Sequence, residues 1–132
     1  MEEIIINENI KVDTNFNLYN KILDYSKYVR TNILIAIPII HRDVKIHLAD
    51  EIYNLSKLLF LAVYNKGNVR MKYLIEIQAT ISCIDMLTTT IIDLKCCPYN
   101  KVKVSLKKLE EVKNIIYAWI INEKKVKEKY LL

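Results

Sequence analysis

Glycine and proline are nearly missing from this sequence, with one Gly and two Pro in 132 residues. All-β folds need many tight turns, and these residues supply them. Their shortage argues against a turn-rich sheet protein and for a few long helices. One glycine cannot build a phosphate loop, and neither G-x-x-x-x-G-K-[ST] nor G-x-G-x-x-G occurs. Histidine is as scarce, at His41 and His47 only. Long apolar runs are also missing. A membrane span needs about 18 residues, whereas the longest near-continuous run, Ile33 to Ile40, is short and holds Pro38. The start, MEEIII, is acidic, unlike the basic start of a secretory signal. Cys83, Cys96 and Cys97 are an odd set without metal-ligand spacing. They read as reduced thiols in a cytoplasmic protein.

What is present is apolar surface at helical spacing. Hydrophobic residues make up 52%, enough for one sizeable core, and the length fits a single domain over residues 1–132. The most informative stretch is Pro98 to Glu123. Val102, Leu106, Leu109, Val112, Ile116, Trp119 and Ile120 recur at steps of three and four, which puts them on one helix face. Pro98 ends the preceding helix, and Asn100 is the expected N-cap. Lys101, Lys103, Lys107, Lys108 and Lys113 mostly lie off the stripe.

Before that stretch, the spacing predicts three more helices. Residues 1–14 show no helical period and read as an N-terminal arm, whose Ile4-Ile5-Ile6 favours some contact. Helix 1 is expected to begin near Asn15–Asn17. Its stripe is Tyr19, Ile22, Leu23, Ser26, Val29, Ile33 and Ile37, where Pro38 interrupts. Helix 2 buries Val44, Leu48, Ile52, Leu55, Leu59 and Ala62. A second set, Leu58, Phe60, Leu61 and Val63, widens its stripe and suggests a subunit interface. Gly67, in Asn65-Lys66-Gly67-Asn68, suits a left-handed helix C-cap. Helix 3 spans about Val69 to Lys95, with Tyr73 or Leu74, Ile77, Ile81, Ile84, Thr88, Ile91 and Leu94 inward. Residues 124–132 form a basic tail that either extends helix 4 or frays. Short connections make successive helices antiparallel neighbours. The expected fold is all-α, an up-down-up-down four-helix bundle.

The net charge of +5 is uneven: nine Lys face four Glu from Pro98 onward, and the rest of the chain is neutral. A localised basic face favours a polyanion or an acidic protein surface, and it is also what a merely solvated lysine face looks like. The candidate binding residues are Arg42, Arg70, Lys72, Lys101, Lys103, Lys107, Lys108 and Lys113. No catalytic, cofactor or metal set emerges. His41 with Asp43, and His47 with Asp50, read as ordinary surface residues, because bundle metal sites draw ligands from several helices. Asp43 complements the dipole of helix 2. Cys83, beside the helix 3 stripe, reads as packing. Cys96 and Cys97 are candidate reactive thiols without an activating base. Trp119 reads as core, with base stacking as the alternative.

Taken together, these segments resemble a known family. Pro38 precedes Arg42, which opens helix 2. That helix ends in L-F-L-A-V-Y-N, and helix 3 reads R-M-K-Y-L-I-E-I and then M-L-T-T-T-I-I-D-L. Tyr99 follows, then Leu106, Leu109, Val112 and I-I-Y-A-W-I with Trp119 near the chain end. Over residues 16–123 this resembles the four-helix-bundle family of Avd, the accessory variability determinant of diversity-generating retroelements. That family is itself similar to proteins encoded in intervening sequences of bacterial large-subunit ribosomal RNA. Ala118 departs from the Gly that commonly precedes the Trp. The resemblance implies a homopentamer that binds a reverse transcriptase and its template RNA. Such a protein supports mutagenic cDNA synthesis without catalysing it and uses no cofactor. The alternative is an oligomeric helical scaffold with its lysines solvated.

Overall fold

Four long helices make up most of the computed structural model, which describes residues 9–131, with side chains for residues 17–128. They are α1 (Asn9–Asn32), α2 (Arg42–Val63), α3 (Gly67–Asp93) and α4 (Tyr99–Leu131). Two 3₁₀ turns, Leu34–Ala36 and Ile39–His41, join α1 to α2. There is no strand among the described residues. The fold is all-α.

The helices pack pairwise. α2 lies most extensively on α3, α1 on α4 and α4 on α3, with a smaller α1–α2 interface. Side-chain partners give the directions. Lys21 pairs with Glu111 and Asp24 with Lys108, and Tyr28 donates to the Lys101 carbonyl, so α1 and α4 run opposite ways. Tyr19 meets the Phe60 ring and Arg30 bonds Tyr53, which opposes α1 and α2. Asn54 donates to Thr80, and Arg70 to the Ala62 carbonyl, which opposes α2 and α3.

The stripes of α2, α3 and α4 bury as the spacing predicts. Val44, Leu48, Ile52, Leu55, Leu59 and Ala62 are buried, as are Leu74, Ile77, Ile81, Ile84, Thr88 and Ile91. On α4, Val102, Leu109, Val112, Ile116, Trp119 and Ile120 are buried and Leu106 is half-buried. Thr88, Thr89 and Thr90 stay helical because each hydroxyl donates to the carbonyl four residues back. By length and composition α3 would suffice to cross a membrane. Here its apolar stripe is covered by α2 and α4, and core helices commonly pass the same test.

Several expectations are corrected. α1 starts at Asn9, so residues 9–14 are helix rather than arm. Asparagine is only mildly helix-averse, and no Gly or Pro lies between Asn9 and Asn32 to stop the helix. The Ile4-Ile5-Ile6 expectation lies outside the described residues. The core phase of α1 is Leu18, Ile22, Tyr25 and Val29, while Tyr19 and Leu23 are exposed. Both phases carry apolar residues, and spacing alone cannot choose between them. α1 stops before Ile37, which adopts the extended conformation required ahead of Pro38. Asn100 is no cap: it lies inside the first turn of α4, where its Oδ1 accepts from the Lys101 amide. On α3, Leu94 is exposed.

The second apolar set of α2 faces this chain's own core. Leu58 is buried, Leu61 and Val63 pack against it, and exposed Phe60 leans on Tyr19. Gly67 does take a left-handed φ of +59°, but α2 has ended at Tyr64, and Gly67 opens α3. The left-handed residue that closes a helix is Lys95, at φ 54°. Cys96 N–H bonds the Ile91 carbonyl and Lys95 N–H the Ile92 carbonyl, a Schellman ending with Lys in glycine's usual place.

Tyr25 provides a pH test of this packing. Burial raises its phenol well above the ordinary 10.0, and the Asp85 carboxylate pushes the same way. The folded state keeps the proton while the unfolded chain releases it. Stability should therefore be fully present below that value and fall as pH rises past it. Urea unfolding between about pH 9 and 11 should show a steeper loss for the native protein than for Tyr25→Phe. Equal pH slopes would contradict the burial.

Candidate basic surface

α4 presents lysine in three directions. Lys103 and Lys107, with Asn114 and Lys125 farther along, fall at steps of four, seven and eleven residues and stand opposite the buried stripe. Lys101 and Lys108, seven apart, lie toward α1, and Lys113 lies toward α3.

These directions decide which charges remain available. Lys108 bonds Asp24 at 2.7 Å and sits 5.6 Å from the Tyr28 ring. Lys113 bonds Asp85 at 2.7 Å and lies 3.9 Å from Glu110. Both are half-buried and largely neutralised locally. Lys21 on α1 occupies Glu111 at 2.8 Å. This bond and the Lys21 charge hold the Glu111 carboxyl below its usual range, helped by Lys108 and Lys107. Lys101, Lys103 and Lys107 are exposed and have no ion pair among the described residues. So are Lys124, Lys125 and Lys127 on the last turns of α4. Arg42 is exposed at the first residue of α2, and exposed Lys72 lies 5.8 Å from the Tyr73 ring.

Arg70 does not belong to this surface. It is buried, at 8% exposure. Its Nε donates to the Ala62 carbonyl at 2.9 Å and its Nη2 to the Val63 carbonyl at 3.2 Å. Its Nη1 donates to Glu123 at 3.0 Å, and the guanidinium lies 5.4 Å from the Trp119 ring. The group ties the end of α2 and the start of α3 to α4. Of the eight expected residues, Lys103 and Lys107 share the outer side of α4, and Lys101, also exposed, lies toward α1. Arg42 and Lys72 stand on other elements, Lys108 and Lys113 are paired, and Arg70 is structural. Asp24 and Asp85, the acids that neutralise two lysines, were not legible from spacing, because each lies on another helix.

The thiols are also reassigned. Cys83 is exposed, not packed. Its position beside the stripe of α3 points outward, since α2 and α4 cover only one side of that helix. Cys97 is buried, and its Sγ lies 3.6 Å from the Asn32 carbonyl. Burial pushes its thiol up despite the opposing Lys101 charge, so it is a poor nucleophile near neutrality. A shallow pocket lined by Ile92, Lys95, Cys96, Cys97, Pro98 and Tyr99 lies at the α3–α4 turn. A second, between α3 and α4, includes Asp85 and Lys113, already paired with each other. No group of His, Cys, Asp or Glu among the described residues has the arrangement to hold a metal ion.

No family model, no curated protein and no solved structure aligns with the chain.

Proposed function

We propose that this protein is a non-catalytic, cytoplasmic accessory subunit of the Avd type. It is an up-down-up-down four-helix bundle that assembles into a closed homopentamer. It holds RNA, and in a retroelement setting its DNA copy, along the outer lysines of α4, and it docks a reverse transcriptase. The observation that carries the reading is the set Lys101, Lys103 and Lys107, exposed without ion pairs on one helix of a chain whose whole net charge lies beyond residue 97. Such a surface holds phosphates by counterion release and needs no base readout. Arg42 and Lys72 extend the charge onto other helices. The opposed helix directions support the topology.

Apolar surface for assembly is available at the α1–α2 connection, where Ile35, Ile39 and Ile40 are 72%, 90% and 81% exposed. A ring repeats one heterologous interface until it closes. Sedimentation should give a particle about five times the 15.6 kDa chain mass. A monomer at about micromolar concentration would contradict the ring.

The same isoleucines, with the neutralised Lys108 and Lys113, favour the second reading, a helical scaffold whose lysines are solvated. Changing Lys101, Lys103 and Lys107 to Glu together, and measuring RNA and reverse-transcriptase binding apart, separates the two. Loss of RNA binding supports the first reading. Retention of both affinities at low salt supports the scaffold.

A further inference from the structure

The groove between α3 and α4 has a volume of about 430 Å³, within the size range of ligand sites. Its floor is Ile81 and Ile116, both buried. Lys113, bonded to Asp85 at 2.7 Å, closes one end. Tyr117 stands one turn farther along α4 as a wall, 62% exposed. Gln78 and Asn114 line the rim. Both are exposed, and neither side-chain amide is hydrogen-bonded among the described residues. An apolar floor, an exposed aromatic face and two unengaged amides are the parts of a nucleobase site. The ring stacks on the face of a base, and the amides meet its edge as donor or acceptor.

The groove opens onto the lysine row. Asn114 shares the outer side of α4 with Lys103 and Lys107. Lys107 lies two turns before Asn114, about 11 Å, the span of about three stacked nucleotides. The acids nearest this path are engaged, since Asp85 bonds Lys113 and Glu110 lies 3.9 Å from it. We propose that the groove takes one unstacked base of a single-stranded polynucleotide, laid on the Tyr117 ring, with the neighbouring phosphates on Lys107 and Lys103. This deepens the polyanion reading, on which it rests for the phosphates, by naming single strands as the ligand. A duplex keeps its bases paired and stacked, so it offers phosphates to the lysines and nothing to the groove. Stacking accepts any base, and each amide can turn either its oxygen or its nitrogen to a base edge, so little sequence preference results.

Two measurements test the groove. In the first, the native protein should bind oligouridylate about tenfold more tightly than duplex RNA of equal length. Tyr117→Ala should remove that margin and leave the salt slope unchanged, because no phosphate contact is lost. Tyr117→Phe, which keeps the stacking face, should bind as the native protein does. The side chain is exposed, so neither change threatens the fold. The second measurement uses adenosine, which carries no phosphate. At about millimolar concentration it should shift the NMR signals of the Tyr117 ring, equally in the native protein and in the variant with Lys101, Lys103 and Lys107 changed to Glu. Oligouridylate binding that Tyr117→Ala leaves intact, a duplex bound as tightly as the single strand, or a Tyr117 ring unmoved by adenosine would each overturn the groove and leave the lysine row in place. A ring that moves with adenosine in a protein that binds no RNA would overturn the polyanion reading and leave the nucleobase site standing.

Discussion

Arg70→Ala should destabilise the protein by about 3–5 kcal/mol, the cost of breaking a buried ion pair from one side. The change leaves Glu123, its side chain 10% exposed, without its cation. It also strips donors from the Ala62 and Val63 carbonyls, which lie in the last turn of α2, where a cation suits the helix dipole. Arg70→Lys keeps the charge but not the planar fork that reaches two carbonyls and a carboxylate at once, so it should recover only part of the loss. Denaturant unfolding of the three proteins measures this. A loss under about 1 kcal/mol for the Ala variant would mean that the pair behaves as a surface one.

Trp119→Ala should cost a similar amount, about 3–5 kcal/mol, because the ring is buried at 8% exposure and ends the apolar stripe of α4. The ring also faces the Arg70 guanidinium. The two substitutions share a partner, so the double variant should lose less than the sum of the singles. Strict additivity would argue against a working interaction between them. Unchanged stability with abolished RNA binding would make Trp119 a stacking platform instead.

Arg70 also shows what the sequence reveals and what it hides. Positions 70, 74, 77, 81, 84, 88 and 91 form one continuous helical row, so its place on the buried stripe was available from spacing. Its charge, its position at a helix start and its neighbour Lys72 made it read as surface. Glu123, the partner that makes burial tolerable, lies 53 residues away. The helices and most of their inner faces were legible because scarce Gly and Pro leave the 3.6-residue period unbroken. The phase of α1 was not, because Leu18 beside Tyr19 and Ile22 beside Leu23 satisfy two stripes equally. Of the basic surface, the exposed lysines of α4 could be read. The neutralisation of Lys108 and Lys113 by Asp24 and Asp85 could not, since those pairs exist only once the helices pack.

The central claim is that Lys101, Lys103 and Lys107 hold phosphates. The most direct measurement is RNA affinity against salt concentration, for the native protein and for the variant with all three changed to Glu. The native affinity should fall steeply with salt and vary little with RNA sequence. The variant should bind more weakly at low salt, with a log–log slope shallower by about two units, near 0.7 for each single-stranded phosphate that a lysine no longer neutralises. Equal affinity and equal slope in the two proteins would contradict the claim.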